Sequence, residues 1–417
     1  MNTEADRLSG ADVLRGPGVA ERLPGVDVLR GLAAMLVVLH HIHIRFRING
    51  YTVPALLPDG VAKVLLWTGY YSVIGFFVIS GFLITRLSLR RWGDLERISP
   101  AAFYGLRAAR ILPTLLLVLA ATSLLHLAGV RPFTIRPEVA SLGRALIAAL
   151  GFHVNWYEAQ HGYLPGTWDV MWSLSIEETF YLVFPLACLL LRSRPAMLLG
   201  LLGFIVVGPF YRVAVQDLDP WDEYAYLACT DCLAMGCIVG WISERRPLDR
   251  RAARIAMTVG VAAVLLILGF RQTATAWGLV ATGTNITVLG MGMALVLLAM
   301  ASRVGSDFFS RRLSWLRAVG RCSYEVYLTH MFVVYGFFLA FMGYFGKAVP
   351  HAWIYPASYV VMLVLSVLLG HVVSRGFSEP ANRRLRTWMG GIARRYPRAK
   401  LSESCSTTRL SEAHDSA

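Results

Sequence analysis

The chain has 417 residues, of which 56% are hydrophobic and 16% are charged, and its formal net charge is +14. Its apolar residues form long blocks such as 111–128 and 354–373, which are apolar around the whole circumference of a helix, so a soluble α/β domain is excluded. The basic residues lie in short loops and near the C-terminus, as is typical of membrane topology signals rather than of a nucleic-acid interface. The sequence therefore predicts an all-α polytopic membrane protein.

Residues 1–26 are polar and contain no apolar run of the kind found in a signal peptide. We expect them to form a disordered cytoplasmic tail. The six cysteines are scattered through or beside apolar segments, which favours packing over a disulfide framework. Only Cys229 and Cys232 have a motif spacing, and for them too packing is favoured over metal or redox chemistry.

Ten windows are long enough to cross a bilayer, because a crossing takes about 20 residues at a rise of about 1.5 Å each. The windows lie near 28–46, 64–85, 109–128, 170–191, 196–211, 225–242, 255–270, 279–301, 319–342 and 354–374. An eleventh apolar stretch, 141–153, is too short.

The distribution of arginines predicts the orientation. If 141–153 does not cross, every strongly basic loop falls on one side and the acidic connection 209–224 falls on the other. We therefore expect about ten transmembrane helices with both termini cytoplasmic, and one short re-entrant or buried helix at 141–153. The membrane domain would cover 27–376, followed over 377–417 by a basic and then disordered cytoplasmic tail.

The first window contains DVLRGLAAMLVVLHH over residues 27–41. Arg30 and His41 differ by only about 20° around a helix and by about 16 Å along it, whereas His40 lies about 80° away from Arg30. A neutral histidine near mid-membrane can take a proton from a hydroxyl group, which makes His41 a candidate base. The alternatives are a buried histidine that bonds to a neighbouring helix or, less favoured, a metal site shared with His40 and His43.

The fourth window begins TWDVMWSLSIEETFYLVFP and holds Glu177 and Glu178 in an apolar helix. An intramembrane carboxylate is costly unless it is paired or faces a cavity, so it is a candidate site residue. Ser173 lies on the same face as Glu177, four residues earlier. We expect Glu177 to reach the depth of His41 and to orient its imidazole. The alternative is a structural ion pair or a protonated acid that bonds to a backbone carbonyl.

Three other stretches carry polar or small residues into the windows. In ISPAAFYGLRAARILP, a helix is expected to start with Ser99 as its N-cap, and Arg107 and Arg110 could bind a polyphosphate or merely set topology. In GFFVISGFLIT over 75–85, the glycines are expected to allow close helix contact. In SYEVYLTH over 323–330, His330 could hydrogen-bond to the reaction centre or only tie two helices together.

Taken together, these motifs resemble those of acyltransferase family 3, whose members are integral membrane acyltransferases of sugars and other hydroxylated molecules. The matching elements, in order between about residues 24 and 380, are Arg30-x10-His41, FFVISGF, Arg107-x-x-Arg110, Ser173-x-x-x-Glu177, and SYEVYLTH followed by Glu379-Pro380. The resemblance implies an acyl-CoA donor, usually acetyl-CoA, on the cytoplasmic side and a hydroxyl acceptor that often lies outside. It also implies that His41 is essential. Some relatives carry a C-terminal extracytoplasmic hydrolase-like domain that completes the transfer. No such domain is expected in this chain, so it is expected to act alone or with a separate partner.

The sequence thus predicts an O-acyltransferase of the cytoplasmic membrane that uses acyl-CoA as co-substrate, needs no metal and binds no nucleic acid. The acceptor would be a glycan, a lipid-linked sugar or a secondary metabolite. The predicted site residues are His41 and Glu177 as catalytic, Arg30, Arg107 and Arg110 as donor-binding, and Ser173, Glu178, Tyr327 and His330 as supporting. Two rivals are a secondary transporter with an Arg/Glu/His pathway and an exporter that binds its cargo without chemistry.

Overall fold

A computed structural model describes residues 23–51, 57–346, 349 and 351–395. Residues 1–22 of the predicted N-terminal tail and 396–417 of the predicted C-terminal tail lie outside the described residues. Within the described ranges the chain forms helices and no strand.

The first half of the chain contains the helices α1 Pro24–Ile48, α2 Asp59–Leu66, α3 Gly69–Trp92, α4 Pro100–Leu127, α5 Leu142–Leu150, α6 Val154–His161, α7 Gly166–Asp169, α8 Trp172–Leu191 and α9 Arg194–Val215. The second half contains α10 Trp221–Tyr224, α11 Tyr226–Arg245, α12 Arg250–Gly269, α13 Arg271–Ala276, α14 Thr284–Ala301, α15 Ser306–Arg311, α16 Ser314–Arg321, α17 Ser323–Phe345, α18 Ile354–Val373 and α19 Glu379–Arg395. A π-helical segment, Ser374–Ser378, joins α18 to α19.

Ten helical segments in the described part of the chain are long and apolar enough to cross a membrane, as predicted. The second predicted window, 64–85, is interrupted, because α2 ends at Leu66 and α3 begins at Gly69. His40 of α1 lies against the break. Its Nδ1 atom lies 2.9 Å from the carbonyl oxygen of Leu66, and a Cβ atom added at Gly69 would lie 2.3 Å from its ring. His40 therefore hydrogen-bonds to the end of α2 and packs against the start of α3.

The short stretch 141–153 forms the nine-residue helix α5, which is too short to span a bilayer. Ser141 caps it by accepting the Arg144 N–H at 3.3 Å. The helix buries a row of small residues, whereas Ile147 on the opposite face is 66% exposed. The stretch is thus amphipathic, with one face against the protein, and the prediction that it does not cross is confirmed.

Glycines allow close helix contact at two places. A Cβ atom added at Gly81 of α3 would lie 2.1 Å from the carbonyl oxygen of Leu233 in α11, so packing is confirmed as the role of that glycine. A Cβ atom added at Gly320 of α16 would lie 1.7 Å from the carbonyl oxygen of Asp27 in α1. The second contact fixes the end of α1 that carries Arg30.

A buried ion pair and its hydrogen bonds join α9, α11 and α14. Arg212 of α9 is 7% exposed and Asp231 of α11 is fully buried, and their charged groups approach to 2.9 Å. Thr287 of α14 donates to the same carboxylate at 2.7 Å, while Arg212 also donates to the carbonyl oxygen of Gly283 at 2.7 Å. Because its polar groups are satisfied, we interpret this network as structural.

The cysteines of the described residues are free and buried, which confirms the prediction of packing for Cys188, Cys229, Cys232, Cys237 and Cys322. Cys405 lies outside the described residues.

Candidate active site

Two histidines from different helices meet inside the bundle. His41 of α1 and His330 of α17 have ring centroids 4.9 Å apart, and His330 Nε2 lies 3.3 Å from His41 Nδ1. His330 is fully buried, whereas His41 is half-buried. Of the two roles considered for His330, the structure supports contact with the predicted base.

The surrounding carbonyl groups determine where the ring protons lie. His330 Nδ1 is 2.6 Å from the carbonyl oxygen of Tyr327, so this nitrogen carries the proton and Nε2 of the neutral ring is an acceptor. His41 Nδ1 faces two acceptors, His330 Nε2 and the carbonyl oxygen of Val37 at 2.9 Å, and must therefore be a donor. The lone pair of a neutral His41 is consequently on Nε2.

That Nε2 atom is free of contacts with the described residues that would occupy its lone pair. It has no hydrogen-bond partner among the described residues, and it is absent from the buried polar atoms that lack partners. His41 is therefore held at Nδ1 and open at Nε2, the arrangement that a general base or a nucleophile requires.

The three neighbouring histidines of α1 have separate partners. His40 bonds to Leu66, His41 to Val37 and His330, and His43 Nδ1 lies 2.9 Å from the hydroxyl oxygen of Tyr359. Within the ranges that the structure describes, no three His, Cys, Asp or Glu side chains come together as metal ligands.

Among the described residues, no hydrogen bond or ion pair joins Glu177 to His41, its predicted partner. Glu177 Oε1 instead accepts hydrogen bonds from the hydroxyl groups of Ser80 in α3 and Tyr181 in α8. The helix rotations that set this choice depend on packing between α1, α3 and α8, which the spacing within one helix does not reveal. Tyr181 lies four residues after Glu177, so the i, i+4 rule could have identified it.

Ser173 and Tyr327 link α8 to α17. Their hydroxyl oxygens are 2.7 Å apart, and Tyr327 also donates to the carbonyl oxygen of Val170 at 3.0 Å. Because the ring of Tyr327 lies 6.0 Å from that of His330, this link adjoins the histidine pair. Both predicted supporting residues therefore lie beside the histidine pair.

Arg110 forms a two-pronged ion pair with Glu325. Its two terminal nitrogens lie 2.7 and 3.4 Å from the two carboxylate oxygens of Glu325, which is fully buried. The hydroxyl of Ser378 donates to the same carboxylate at 2.7 Å. Two N–H groups of Arg110, a predicted donor-binding residue, thus bond to Glu325.

Arg107, one turn earlier on α4, has no such partner. Its guanidinium group lies 4.3 Å from the centroid of the Tyr181 ring, and within the described ranges it makes no hydrogen bond or ion pair. Its nitrogens are also absent from the buried polar atoms that lack partners. Arg107 therefore offers accessible N–H donors beside Tyr181, the tyrosine that bonds to Glu177.

Arg30 and Glu178 complete this polar layer. Arg30 is half-buried and within electrostatic range of Arg110, Glu325 and Glu177, which places it at the same end of the bundle. Glu178 is 7% exposed, lies within electrostatic range of Arg107, and has a buried Oε1 atom without a partner among the described residues. The site therefore has two layers, one of histidines and one of arginines and carboxylates, and α17 contributes to both.

The described part of the chain thus forms ten candidate membrane-crossing helices that enclose a histidine pair and a layer of arginines and carboxylates. The family model described as an acyltransferase domain matches residues 23–371, and the chain belongs to that family.

Curated relatives include the O-acetyltransferase OatA of Staphylococcus aureus, which is 24% identical over 337 residues, covering 76% of this chain and 53% of that protein. The peptidoglycan O-acetyltransferase OatA of Listeria monocytogenes is 26% identical over 288 residues, covering 63% of this chain and 44% of that protein. The chain thus spans about half the length of the curated relatives that it matches. No solved structure matches it significantly.

Proposed function

We propose that this protein is an O-acyltransferase that moves an acetyl group from acetyl-CoA to a hydroxyl group of a glycan at the cytoplasmic membrane. The observation that carries the proposal is the accessible Nε2 atom of His41, whose ring is held at Nδ1 by Val37 and His330. The names of the relatives support acetyl as the acyl group, and the Listeria protein supports a glycan of the cell wall as the acceptor.

In the proposed reaction, His41 Nε2 takes the proton of the acceptor hydroxyl while its oxygen attacks the thioester carbonyl carbon. The C–S bond breaks, the CoA thiolate leaves and takes the proton from His41 Nε2, and an oxygen ester and a neutral His41 remain. The imidazolium formed on His41 donates through Nδ1 to Val37 and His330, and both acceptors favour the charged ring. The reaction consumes no oxidant or reductant.

The arginine layer is proposed to bind the phosphate groups of the donor. Arg107 supports this role best, because its N–H groups are accessible and have no carboxylate partner among the described residues. Arg110 would contribute mainly through its positive charge, since Glu325 accepts from both of its terminal nitrogens. Arg30 adds a further positive charge at the same end of the bundle.

The test uses membrane vesicles that contain the full chain and are given acetyl-CoA labelled in the acetyl group, with cell-wall glycan as acceptor. Wild-type vesicles should transfer label into alkali-labile esters, and His41→Ala vesicles should lose at least about 100-fold of that activity. The matched control is His40→Asn, which keeps an N–H donor for Leu66 and should retain activity at equal expression. Full transfer by His41→Ala, or no transfer by the wild type above empty vesicles, would overturn the proposal.

A further inference from the structure

The C-terminal helix α19 runs antiparallel to the first turns of α4. At its start, Ser378 shares the Glu325 carboxylate with Arg110. Near its end, Met389 lies against α4, because a Cβ atom added at Gly105 would be 2.8 Å from the Met389 sulfur. As α19 proceeds from Ser378 to Met389, its neighbours on α4 thus proceed backwards from Arg110 to Gly105.

This register places Arg386 opposite Arg107. Arg386 precedes Met389 by three residues, about one turn along the helix and about 60° around it, so both lie on the side of α19 that meets α4. Arg386 lies within electrostatic range of both Arg107 and Arg110, and Arg91 at the end of α3 lies within range of Arg386. Arg386 of α19 therefore has arginines of two other helices, α3 and α4, within electrostatic range.

The cluster contains more positively charged than negatively charged side chains. Arg110 has Glu325, but Arg107, Arg386 and Arg91 make no ion pair with any residue that the structure describes. Like charges within electrostatic range repel one another, and a bound anion lowers that cost. Guanidinium groups that converge from separate helices suit an anion with several oxygens, such as a diphosphate.

We propose that Arg386 is a further phosphate-binding residue of the donor site and, with Arg107, binds the phosphate groups in the nucleotide part of acyl-CoA. This inference rests on the proposed function. A phospholipid headgroup has related chemistry, but the donor is favoured because Arg107 stacks on Tyr181, which bonds to Glu177 inside the bundle. The helix α19 is then a wall of the donor site.

The experiment compares two acetyl donors on the purified full chain in bilayers of zwitterionic lipid. Acetyl-CoA carries the phosphates, and S-acetylpantetheine presents the same thioester without them. Arg386→Gln should raise the KM for acetyl-CoA about tenfold with little change in kcat, since one charge-assisted contact is lost. With S-acetylpantetheine, Arg386→Gln and the wild type should behave alike. Arg386→Lys should recover part of the loss, because it restores the charge without the planar fork.

The matched control is Arg384→Gln on the same helix. Arg384 is exposed like Arg386, but lies about 200° around the helix from it and so points away from α4. Its KM for acetyl-CoA should stay within about twofold of the wild-type value, as is usual for an exposed charge.

Three results would overturn the inference. Arg386→Gln could keep the wild-type KM for acetyl-CoA, or it could lose activity equally with both donors. Its defect could also appear only after anionic lipid is added, which would assign Arg386 to a headgroup. Equilibrium binding of CoA itself to the wild type and Arg386→Gln tests the inference without turnover, so its failure is distinguishable from failure of the proposed acyl transfer.

Discussion

Replacing His330 tests how the active histidine is held. During the proposed transfer, His41 becomes positively charged, and its Nδ1–H donates to His330 Nε2 at 3.3 Å and to Val37 at 2.9 Å. A hydrogen bond to a charged group contributes about 1.5–3 kcal/mol, which corresponds to a factor of about 10 to 150 in rate. Because the contact to His330 is the longer of the two, we expect a loss in kcat near the lower limit, about tenfold.

His330 is fully buried, so the variants must separate loss of the acceptor from loss of volume. His330→Gln keeps a side-chain acceptor and should retain more of kcat than His330→Phe, which fills space without one. The assay is steady-state acetyl transfer by purified protein that elutes as the wild type does in gel filtration. The KM for acetyl-CoA should change little, because the arginine layer is untouched.

Two results would refute this reasoning. Wild-type kcat in His330→Phe would mean that the acceptor is unimportant. Equal losses in His330→Gln and His330→Phe, together with a raised KM, would mean that His330 only packs.

Three further predictions concern stability. Gly320→Ala should lower the free energy of unfolding by about 2 kcal/mol, because the new methyl group meets the backbone of α1. The control is Gly336→Ala, whose methyl group would meet nothing within 4 Å and should leave the free energy of unfolding unchanged. Thermal unfolding in detergent compares the two variants, and equal midpoints would contradict the close contact. Asp231→Ala should cost about 3–5 kcal/mol by leaving Arg212 buried and unpaired, and an unchanged unfolding midpoint would show that the pair is dispensable. Burial, and then the negative charge of a neighbouring aspartate, raises the pKa of Glu158 well above its usual 4.5. The folded state therefore holds that proton more tightly, so stability should fall as pH rises above 4.5, and Glu158→Gln should flatten this slope in unfolding midpoints measured against pH.

The fold could be predicted further than the site. Hydropathy alone predicted ten crossings, since each is a property of a continuous stretch of chain. Local spacing also predicted that α4 begins at Pro100 with Ser99 as its N-cap residue, although the Ser99 side chain makes no capping hydrogen bond. The break before Gly69 was not predicted, because the ring that lies against it belongs to His40 of another helix, α1.

Contacts between helices limit how much of the site could be predicted from the sequence. Azimuth and depth along α1 predicted different surroundings for His41 and His40, but they could not reveal which way α8 turns its carboxylate. The partner of Arg110 is 215 residues away along the chain, so no local pattern points to it. Arg386 was interpreted only as part of a basic tail, because its position against α4 follows from the antiparallel course of α19.

The two layers of the site have a mechanical consequence. α1 carries Arg30 and His41, and α17 carries Glu325 and His330, so the same two helices contribute to the arginine layer and to the histidine layer. Sliding or rotating either helix would disturb both layers together. We therefore expect α1 and α17 to keep their relative positions during the reaction. Any opening that admits a bulky acceptor is therefore expected in peripheral helices such as α9 and α12, the least buried of the ten crossings in the described part of the chain.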